Sequence, residues 1–264
     1  MRVIALPKSC ARREQSIGFA RELLLWMFLA ALLLGGGPAL ADEPAGCDPR
    51  PQPVKLDAGQ PLNLGLFKHQ LVYYRCTRYD ADLARTLRQA RSWIDRRADH
   101  VKNPALVLDI DETSLSNWAE LYHNDFGYIV DGDCDLFSKR ACGQLAWERS
   151  AAAVAIAPTL DLFNEAKAKQ VSIFFVTGRP ENPEERAATE ANLHKAGYDG
   201  WKQLYMRPEN WQKPSIAPFK SDARKDIEAH GYKIIANIGD QMSDLAGGYA
   251  ERRFKLPNPF YYLP

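Results

Sequence analysis

The sequence lacks several patterns that would assign a chemistry to it directly. Its five cysteines include no Cys-x-x-Cys pair, which argues against a zinc-binding cysteine motif. Its five histidines form no closely spaced metal-ligand pair, and the Arg-His-Gly triplet of the histidine phosphatases does not occur. The formal net charge is only +1, so the whole chain has no basic footprint for nucleic acid. We therefore expect neither a zinc site nor a nucleic-acid partner.

The apolar run near the N-terminus is too short to span a membrane. It covers residues 23–34, which are twelve in number, whereas a helix needs about 20 to cross a hydrocarbon core of about 30 Å. Basic residues precede this run and Ala39-Leu40-Ala41 follows it. This order is typical of a secretory signal peptide, so residues 1–41 are predicted to be removed on export. The expected location is the periplasm, with the outer membrane and the medium as alternatives, and the mature chain is expected to have no membrane span.

The predicted mature chain keeps four cysteines, which permit two disulfides in three pairings. Disulfides are expected to form in an exported protein, because its compartment is oxidising. The short separation of Cys134 and Cys142 favours that pair, and this leaves Cys47 to pair with Cys76.

The composition is that of a globular protein, with 46% hydrophobic and 25% charged residues. Residues 42–66 are rich in proline, glycine and polar residues, which indicates an extended lead-in. A helical period follows from about residue 80 to 100, where the apolar residues recur at spacings of three and four. Residues 42–100 are therefore predicted to hold the lead-in and an N-terminal helix.

The rest of the chain, residues 101–264, is predicted to be an α/β core. Continuous apolar runs at residues 106–108, 171–176 and 234–238, with a fourth at 204–206, are typical of parallel strands buried on both faces. Helical patterns at residues 158–169, 182–197 and 219–230 lie between them. Alternating strands and helices predict a Rossmann-like parallel sheet flanked by helices, with ligands bound beyond the carboxyl ends of the strands.

The α/β pattern is interrupted at about residues 116–157, which directly follow the first of these strands and its motif. This stretch is rich in aromatic residues and contains two of the cysteines. We interpret it as a small, mainly helical cap over the site. The alternative is a surface elaboration with its own aromatic core.

Two carboxylates at the end of the first predicted strand are the most informative feature of the chain. Asp109 and Asp111 are spaced i and i+2, so a strand ending here would aim both into one small space. Two like charges at such a distance repel each other, so a cation or a proton must offset them. This arrangement suits phosphate chemistry, with one acid as the nucleophile and the other as the proton donor.

Three further motifs follow in chain order. Thr177 and Gly178 follow the second strand, where a hydroxyl and exposed amides suit phosphate binding. Lys220 stands near a predicted helix start, where its charge could neutralise a phosphoryl group. Asp240 and Asp244 follow the last strand, and oxygen-only carboxylate ligands suit Mg²⁺, with Ca²⁺ as the second choice.

These four motifs, in this order, resemble those of the haloacid dehalogenase superfamily of phosphatases. The segments DIDETSLSN, TGR, FKSDAR, GDQMSDLAGG and the ending RRFKLPNPFYYLP are similar to its subfamily IIIB acid phosphatases, which include plant vegetative storage proteins and the bacterial lipoprotein e phosphatase. The resemblance covers roughly residues 60–264. It implies a haloacid dehalogenase type of Rossmann-like core.

The resemblance also implies a role for each motif residue. Asp109 is expected to be the nucleophile that forms an aspartyl-phosphate, and Asp111 the general acid and base. Thr177, Gly178 and Lys220 are expected to bind phosphate. The expected Mg²⁺ ligands are Asp109, the backbone carbonyl of Asp111, Asp240 and Asp244, the last directly or through water. Arg179 fits the family pattern without an assigned role.

The sequence thus predicts an exported, Mg²⁺-dependent acid phosphatase that hydrolyses small phosphate monoesters. Two alternatives stay open, namely phosphotransfer to an alcohol acceptor and a storage or binding protein with vestigial activity. The cap aromatics Trp118, Tyr122 and Phe126 could sandwich the base of a nucleotide substrate, or they could form the core of the cap. The sequence does not specify the substrate or the oligomeric state.

Overall fold

The computed structural model describes residues 44–48, 50–53 and 63–263, so the predicted signal peptide lies outside the described residues. The strands are β1 (Pro104–Leu108), β2 (Leu115–Ser116), β3 (Val154–Ala155), β4 (Ser172–Glu181), β5 (Gln203–Pro208), β6 (Lys233–Gly239) and β7 (Arg252–Lys255). The helices are α1 (Leu64–Thr77), α2 (Tyr79–Arg97), α3 (Trp118–His123), α4 (Gln144–Arg149), α5 (Ala157–Ala168), α6 (Pro183–Lys195), α7 (Ala217–Ala229) and α8 (Met242–Leu245).

The core is a five-stranded sheet in the order β5-β4-β1-β6-β7. All of its neighbouring strands pair in parallel, which confirms the predicted α/β class. The four predicted strands are present, and their buried runs follow from continuous apolar sequence that meets helices on both faces. The edge strand β7 was not predicted, because its sequence, RRFK, has a single apolar residue that is buried.

The two faces of the sheet bury alternate residues of the same strands, as the two-residue period of a strand requires. On one face Val107 and Phe174 pack with Ile227 of α7. On the other face Leu106 and Phe175 belong to the larger cluster, which also takes in residues of α2, α5 and α6. The sheet is therefore covered by helices on both sides, and its carboxyl edge is left for the site.

The N-terminal part of the described chain is more helical than the sequence predicted. Helix α1 begins at Leu64, inside the predicted extended lead-in, and Asn63 caps it by accepting a hydrogen bond from the backbone of Leu66. The polar composition of the preceding residues concealed this start. Helix α2 covers the predicted helical period and buries Leu83, Leu87, Ala90 and Ile94 as the spacing predicts.

Both predicted disulfides are present. Cys47 pairs with Cys76 at the end of α1, and Cys134 pairs with Cys142 in the loop before α4. The first bond ties the segment at residues 44–48 to α1. The second closes a short loop within the segment predicted to be the cap.

The segment between β1 and α5 holds two short helices, α3 and α4, joined by a long loop. At its base β2 and β3 form a separate antiparallel pair, which the sequence did not predict. In the described part of the chain, no helix is both long and apolar enough to cross a membrane.

Candidate active site

The carboxyl ends of three adjacent strands bring the predicted motifs together. Asp109 directly follows β1, Thr177 lies in β4 on one side of β1, and Asp240 follows β6 on the other side. The backbone N–H of Asp109 donates to the carbonyl of Ile238 at 3.0 Å, so the sheet ladder continues up to the site. Parallel strands end at a common edge, which is why residues far apart in sequence meet here.

Lys220 joins two carboxylates of the site. Its Nζ lies 2.6 Å from Oδ1 of Asp109 and 2.5 Å from Oδ1 of Asp244. All three side chains are buried. Burial opposes the charge on Lys220, but the attraction of Asp109 and Asp244 outweighs it and raises the pKa of the ammonium group. Lys220 is therefore a fixed cation at the point where the nucleophile was predicted.

The Asp109 carboxylate is crowded by negative charge. Its burial, followed by repulsion from Asp244, raises its pKa well above the ordinary value, although Lys220 acts in the opposite direction. Its hydrogen bond from Lys220 is made at Oδ1, and Oδ2 accepts none from the described residues. A further cation beside this group would favour the ionised form.

Three carboxylates provide a place for such a cation. Asp109, Asp240 and Asp244 are all buried and each offers an oxygen within 4.8 Å of the other two, the one such group of metal-binding side chains in the described part of the chain. The set contains oxygen alone, which fits Mg²⁺ or Ca²⁺ and does not favour softer metals. The Asp111 carboxylate lies outside this set, so its predicted part in metal binding concerns only its backbone carbonyl.

Asp240 is held in place by donors that the sequence analysis missed. Its Oδ2 accepts hydrogen bonds from Gln241 and from Asn258, both at 2.7 Å, and its Oδ1 accepts one from Thr113 at 3.1 Å. Asn258 belongs to the C-terminal segment that follows β7. The sequence LPNPFYYLP resembles a family motif, but only the folded structure shows that this segment contacts the site.

Asp244 is positioned by backbone geometry. It lies in α8, where its Oδ2 accepts a hydrogen bond from the backbone N–H of Gln241 at 2.7 Å and so forms a capping box. The residue facing it is Gly239, where an added Cβ would lie 2.3 Å from Cβ of Asp244. Only glycine at this position lets the carboxylate approach the strand end.

Asp111 is paired with Arg179, to which the sequence analysis assigned no role. Nη2 of Arg179 lies 2.7 Å from Oδ1 of Asp111, and its Nε lies 3.2 Å from each oxygen. The amide of Asn117 donates to the same Oδ1 at 2.8 Å. Burial opposes ionisation of Asp111, but Arg179 and then Asn117 outweigh it and lower its pKa.

The predicted phosphate-binding residues of β4 differ in accessibility. Thr177 is fully buried, and its hydroxyl accepts a hydrogen bond from the backbone N–H of Arg179 at 3.2 Å. Gly178 instead lines the cavity, and a Cβ there would meet only Ile216 at 4.0 Å. Both residues lie within β4 rather than after it, because the strand continues past an irregularity between Thr177 and Pro180.

The site opens into a cavity of about 730 Å³. Its inner end contains Asp109, Asp111, Lys220, Asp240 and Asp244, and its walls include Glu120, Phe126, Tyr128, Gln144, Glu148, Arg179, Arg207, Trp211 and Tyr261. Of the three aromatics proposed for a nucleobase, Phe126 lines this cavity. Trp118 is buried against Phe260, and its ring nitrogen donates to the carbonyl of Ala45 at 2.8 Å.

Comparisons with known proteins relate the sequence to acid phosphatases and to plant storage proteins. Residues 65–264 match the family model described as HAD superfamily, subfamily IIIB (acid phosphatase). The chain is 34% identical to the stem 28 kDa glycoprotein of Glycine max over 72% of each chain. It is also 34% identical to acid phosphatase 1 of Solanum lycopersicum, over 60% of this chain and 58% of the relative. Vegetative storage protein 1 of Arabidopsis thaliana is 31% identical over 60% of this chain and 55% of its own.

A solved structure supports the fold. The class C acid phosphatase of Bacillus anthracis superposes with a TM-score of 0.57 at 19% identity, over 74% of this chain and 86% of its own. That likeness concerns the fold, whereas the family rests on the sequence match over residues 65–264. The chain therefore belongs to subfamily IIIB of the haloacid dehalogenase superfamily, the acid phosphatases, and is a phosphomonoesterase.

Proposed function

We propose that the protein is an exported, Mg²⁺-dependent acid phosphatase that hydrolyses small phosphate monoesters through an aspartyl-phosphate on Asp109. The observation that carries the proposal is the position of Asp109. Its carboxylate lies 2.6 Å from the ammonium group of Lys220. Asp240 and Asp244 are near enough to bind one divalent cation together with Asp109. A phosphate dianion is repelled by a bare carboxylate, so attack requires this positive charge.

In this proposal Asp109 attacks phosphorus, and the bond from phosphorus to the alcohol oxygen breaks. Its Oδ2, which accepts no hydrogen bond from the described residues, is the oxygen available for attack. Lys220, Thr177 and Gly178 are the proposed phosphate-binding groups. Asp109, Asp240, Asp244 and the Asp111 carbonyl would hold Mg²⁺, which when bound supplies positive charge to the phosphoryl oxygens.

Asp111 is proposed as the group that moves the proton. It would give a proton to the leaving alcohol and take one from the water that hydrolyses the aspartyl-phosphate. Its pairing with Arg179 favours the ionised carboxylate, which suits the second step. For the first step the negative charge of a bound phosphate acts against Arg179 and raises the affinity of Asp111 for a proton.

We further propose that residues 1–41 are a signal peptide and that residues 116–157 act as the cap of a core over residues 101–264. Export is supported by two disulfides, which persist in oxidising compartments such as the periplasm. The cap is supported by Glu120, Phe126 and Glu148, which come from this segment and line the cavity beside the site.

A storage role with vestigial activity is the second candidate, and the similarity to vegetative storage proteins favours it. The experiment is hydrolysis of p-nitrophenyl phosphate by the wild type and by Asp109→Asn, each with Mg²⁺ and with EDTA. We expect turnover only for the wild type with Mg²⁺, and a phosphorylated Asp109 peptide after acid quenching. Asp125→Asn is the matched control, because Asp125 is exposed, lies outside the cavity and has a φ of 51° that asparagine tolerates.

Equal rates for the wild type and Asp109→Asn would refute the nucleophile assignment. Turnover by neither protein would favour the storage role. Product analysis with an added alcohol tests phosphotransfer, because a new phosphate ester would show that an alcohol can replace water in the second step.

A further inference from the structure

One wall of the cavity presents hydrogen-bond acceptors that no protein donor satisfies. Glu148, in α4, is 5% exposed and lines the cavity. Its Oε1 accepts a hydrogen bond from Gln144 at 2.8 Å, and its Oε2 is buried without a partner. A buried acceptor without a donor costs free energy, so a hydrogen-bond donor on a bound ligand would stabilise this carboxylate.

A second carboxylate, that of Glu120, belongs to the same wall of the cavity. Glu120, in α3, is 1% exposed and also lines the cavity. Its Oε1 accepts a hydrogen bond from Asn124, which leaves Oε2 without one from the described residues. Burial raises the pKa of Glu120 to about 7, and the nearby charge of Glu148 acts in the same direction. The two carboxylates are therefore close enough to repel each other.

Three of the basic residues that line the cavity bind other carboxylates. Lys220 bridges Asp109 and Asp244, and Arg179 is bound to Asp111. Arg149, the next basic residue on α4, points its Nε to Glu185 at 2.6 Å. None of them makes a hydrogen bond to Glu120 or Glu148 among the described residues, although the charge of Arg179 acts on Glu148 and opposes the rise of its pKa.

We propose that this wall, made by Glu148, Glu120 and Gln144, binds a primary ammonium group on the alcohol part of the substrate. The proposal rests on the phosphatase function and narrows its substrate class to aminoalkyl phosphates. An ammonium group brings three N–H donors for the carboxylate oxygens, and its positive charge offsets their repulsion and favours their ionised form. The apolar side chains of Leu121 and Phe126 line the same cavity and can contact a short methylene stem.

The test compares two esters of nearly equal size, 2-aminoethyl phosphate and 2-hydroxyethyl phosphate, with Mg²⁺ present. The measured quantity is the ratio of their kcat/KM values in the wild type and in Glu148→Gln and Glu120→Gln. Differences in intrinsic reactivity cancel when this ratio is compared between proteins. We expect it to fall at least tenfold in Glu148→Gln, through a higher KM for the amino ester, with kcat/KM for the hydroxy ester within about threefold of the wild type, because charge-assisted bonds are the stronger ones.

Glu184→Gln is the matched control, because Glu184 carries the same charge on the exposed face of α6 and lies outside the cavity. Its ratio is expected to equal that of the wild type. An unchanged ratio in Glu148→Gln would overturn the proposal. An equal fall for both esters would also overturn it, because it would assign Glu148 to the positioning of Arg179.

Affinities in the Asp109→Asn background separate this inference from the proposed function. Calorimetry is expected to show that the amino ester binds more tightly than the hydroxy ester, and that Glu148→Gln removes the difference. If this preference is found while the wild type hydrolyses neither ester, the phosphatase mechanism fails and the ammonium site stands. Equal affinities would refute the ammonium site, whatever the activity.

Discussion

The ammonium nitrogen of Lys220 lies 2.6 Å from Oδ1 of Asp109, although 111 positions separate the two residues in the chain. The same nitrogen also bonds to Asp244, so one buried cation is shared by two buried carboxylates. Lys220 offsets part of the repulsion between these carboxylates, and removing it would leave buried charges without a partner, which is costly. The ammonium group of Lys220, which is proposed to bind phosphate, is therefore also expected to stabilise the fold.

Replacing Lys220 by methionine is expected to lower the free energy of unfolding by about 3 to 5 kcal/mol, because two buried carboxylates would lose their partner. The measurement is urea denaturation in EDTA, so that no metal compensates for the lost charge. Lys233→Met is the control, because Lys233 pairs with Glu228 at 2.9 Å while 47% exposed, and its loss should cost below about 1 kcal/mol. Equal losses for the two variants would show that the Lys220 cluster does not stabilise the fold.

Metal affinity is expected to depend on Asn258, a residue that is not itself a proposed ligand. Asn258 donates to Oδ2 of Asp240 at 2.7 Å and so orients that carboxylate. Removing a group that orients a metal ligand typically weakens binding by about 10- to 100-fold. We expect Asn258→Ala to raise the Mg²⁺ concentration at half-maximal thermal stabilisation about tenfold, and Asp240→Asn to raise it further.

Asn63→Ala is the control for the metal titration, because Asn63 caps α1 and lies outside the metal-binding set. It is expected to lower the melting temperature slightly and to leave the Mg²⁺ midpoint unchanged. A midpoint for Asn258→Ala equal to that of the wild type would mean that Gln241 and Thr113 suffice to hold Asp240.

Glu148→Gln is expected to stabilise the protein, and to do so more at pH 8 than at pH 5. Burial raises the pKa of Glu148 from 4.5 to about 7, while the charges of Arg179, Asp111 and Glu185 also act on it. The folded state therefore keeps a proton that the unfolded chain loses, and the free energy of unfolding falls as pH rises from about 4.5 to about 7. Glutamine removes this loss, a gain on the order of 3 kcal/mol at pH 8.

The check for Glu148 is the free energy of unfolding of the wild type and the variant in EDTA at both pH values. Glu184→Gln, at an exposed position, should give the same small difference from the wild type at pH 5 and at pH 8. A difference for Glu148→Gln that does not grow with pH would contradict the raised pKa.

The two disulfides are expected to contribute unequally to stability. Cys47–Cys76 closes a separation of 29 residues and Cys134–Cys142 one of 8. Loop-closure entropy then gives about 3.6 kcal/mol for the first bond and about 2.5 kcal/mol for the second. Paired alanine substitutions, followed by urea denaturation, should show the larger loss for the first pair, and the reverse order would mean that strain or residual structure dominates.

Much of the fold could be predicted from local patterns. The continuous apolar runs of β1, β4 and β6 indicate strands that are buried on both faces. The apolar period of α2 indicates a helix with one buried face. Edge strand β7 and helix α1 escaped prediction. Arg252–Lys255 is mostly exposed, and most of α1 is only partly buried, so neither carries a clear hydrophobic pattern.

The sequence by itself determined the chemistry available at the site. The order of its motifs placed Asp109, Asp111, Lys220, Asp240 and Asp244 in one candidate site, because parallel strands end at a common edge. It also specified the donor atoms, since a set of carboxylate oxygens selects a hard cation whatever the details of the fold.

Only the tertiary structure decided which of these groups contact each other. Lys220 bridges Asp109 and Asp244, Arg179 holds Asp111, and Asn258 orients Asp240 from the C-terminal segment. The unpaired oxygen of Glu148 beside the cavity is likewise a property of the folded chain. Hydrogen bonds and desolvation depend on distances of a few ångströms between residues remote in sequence, and no local pattern encodes such distances.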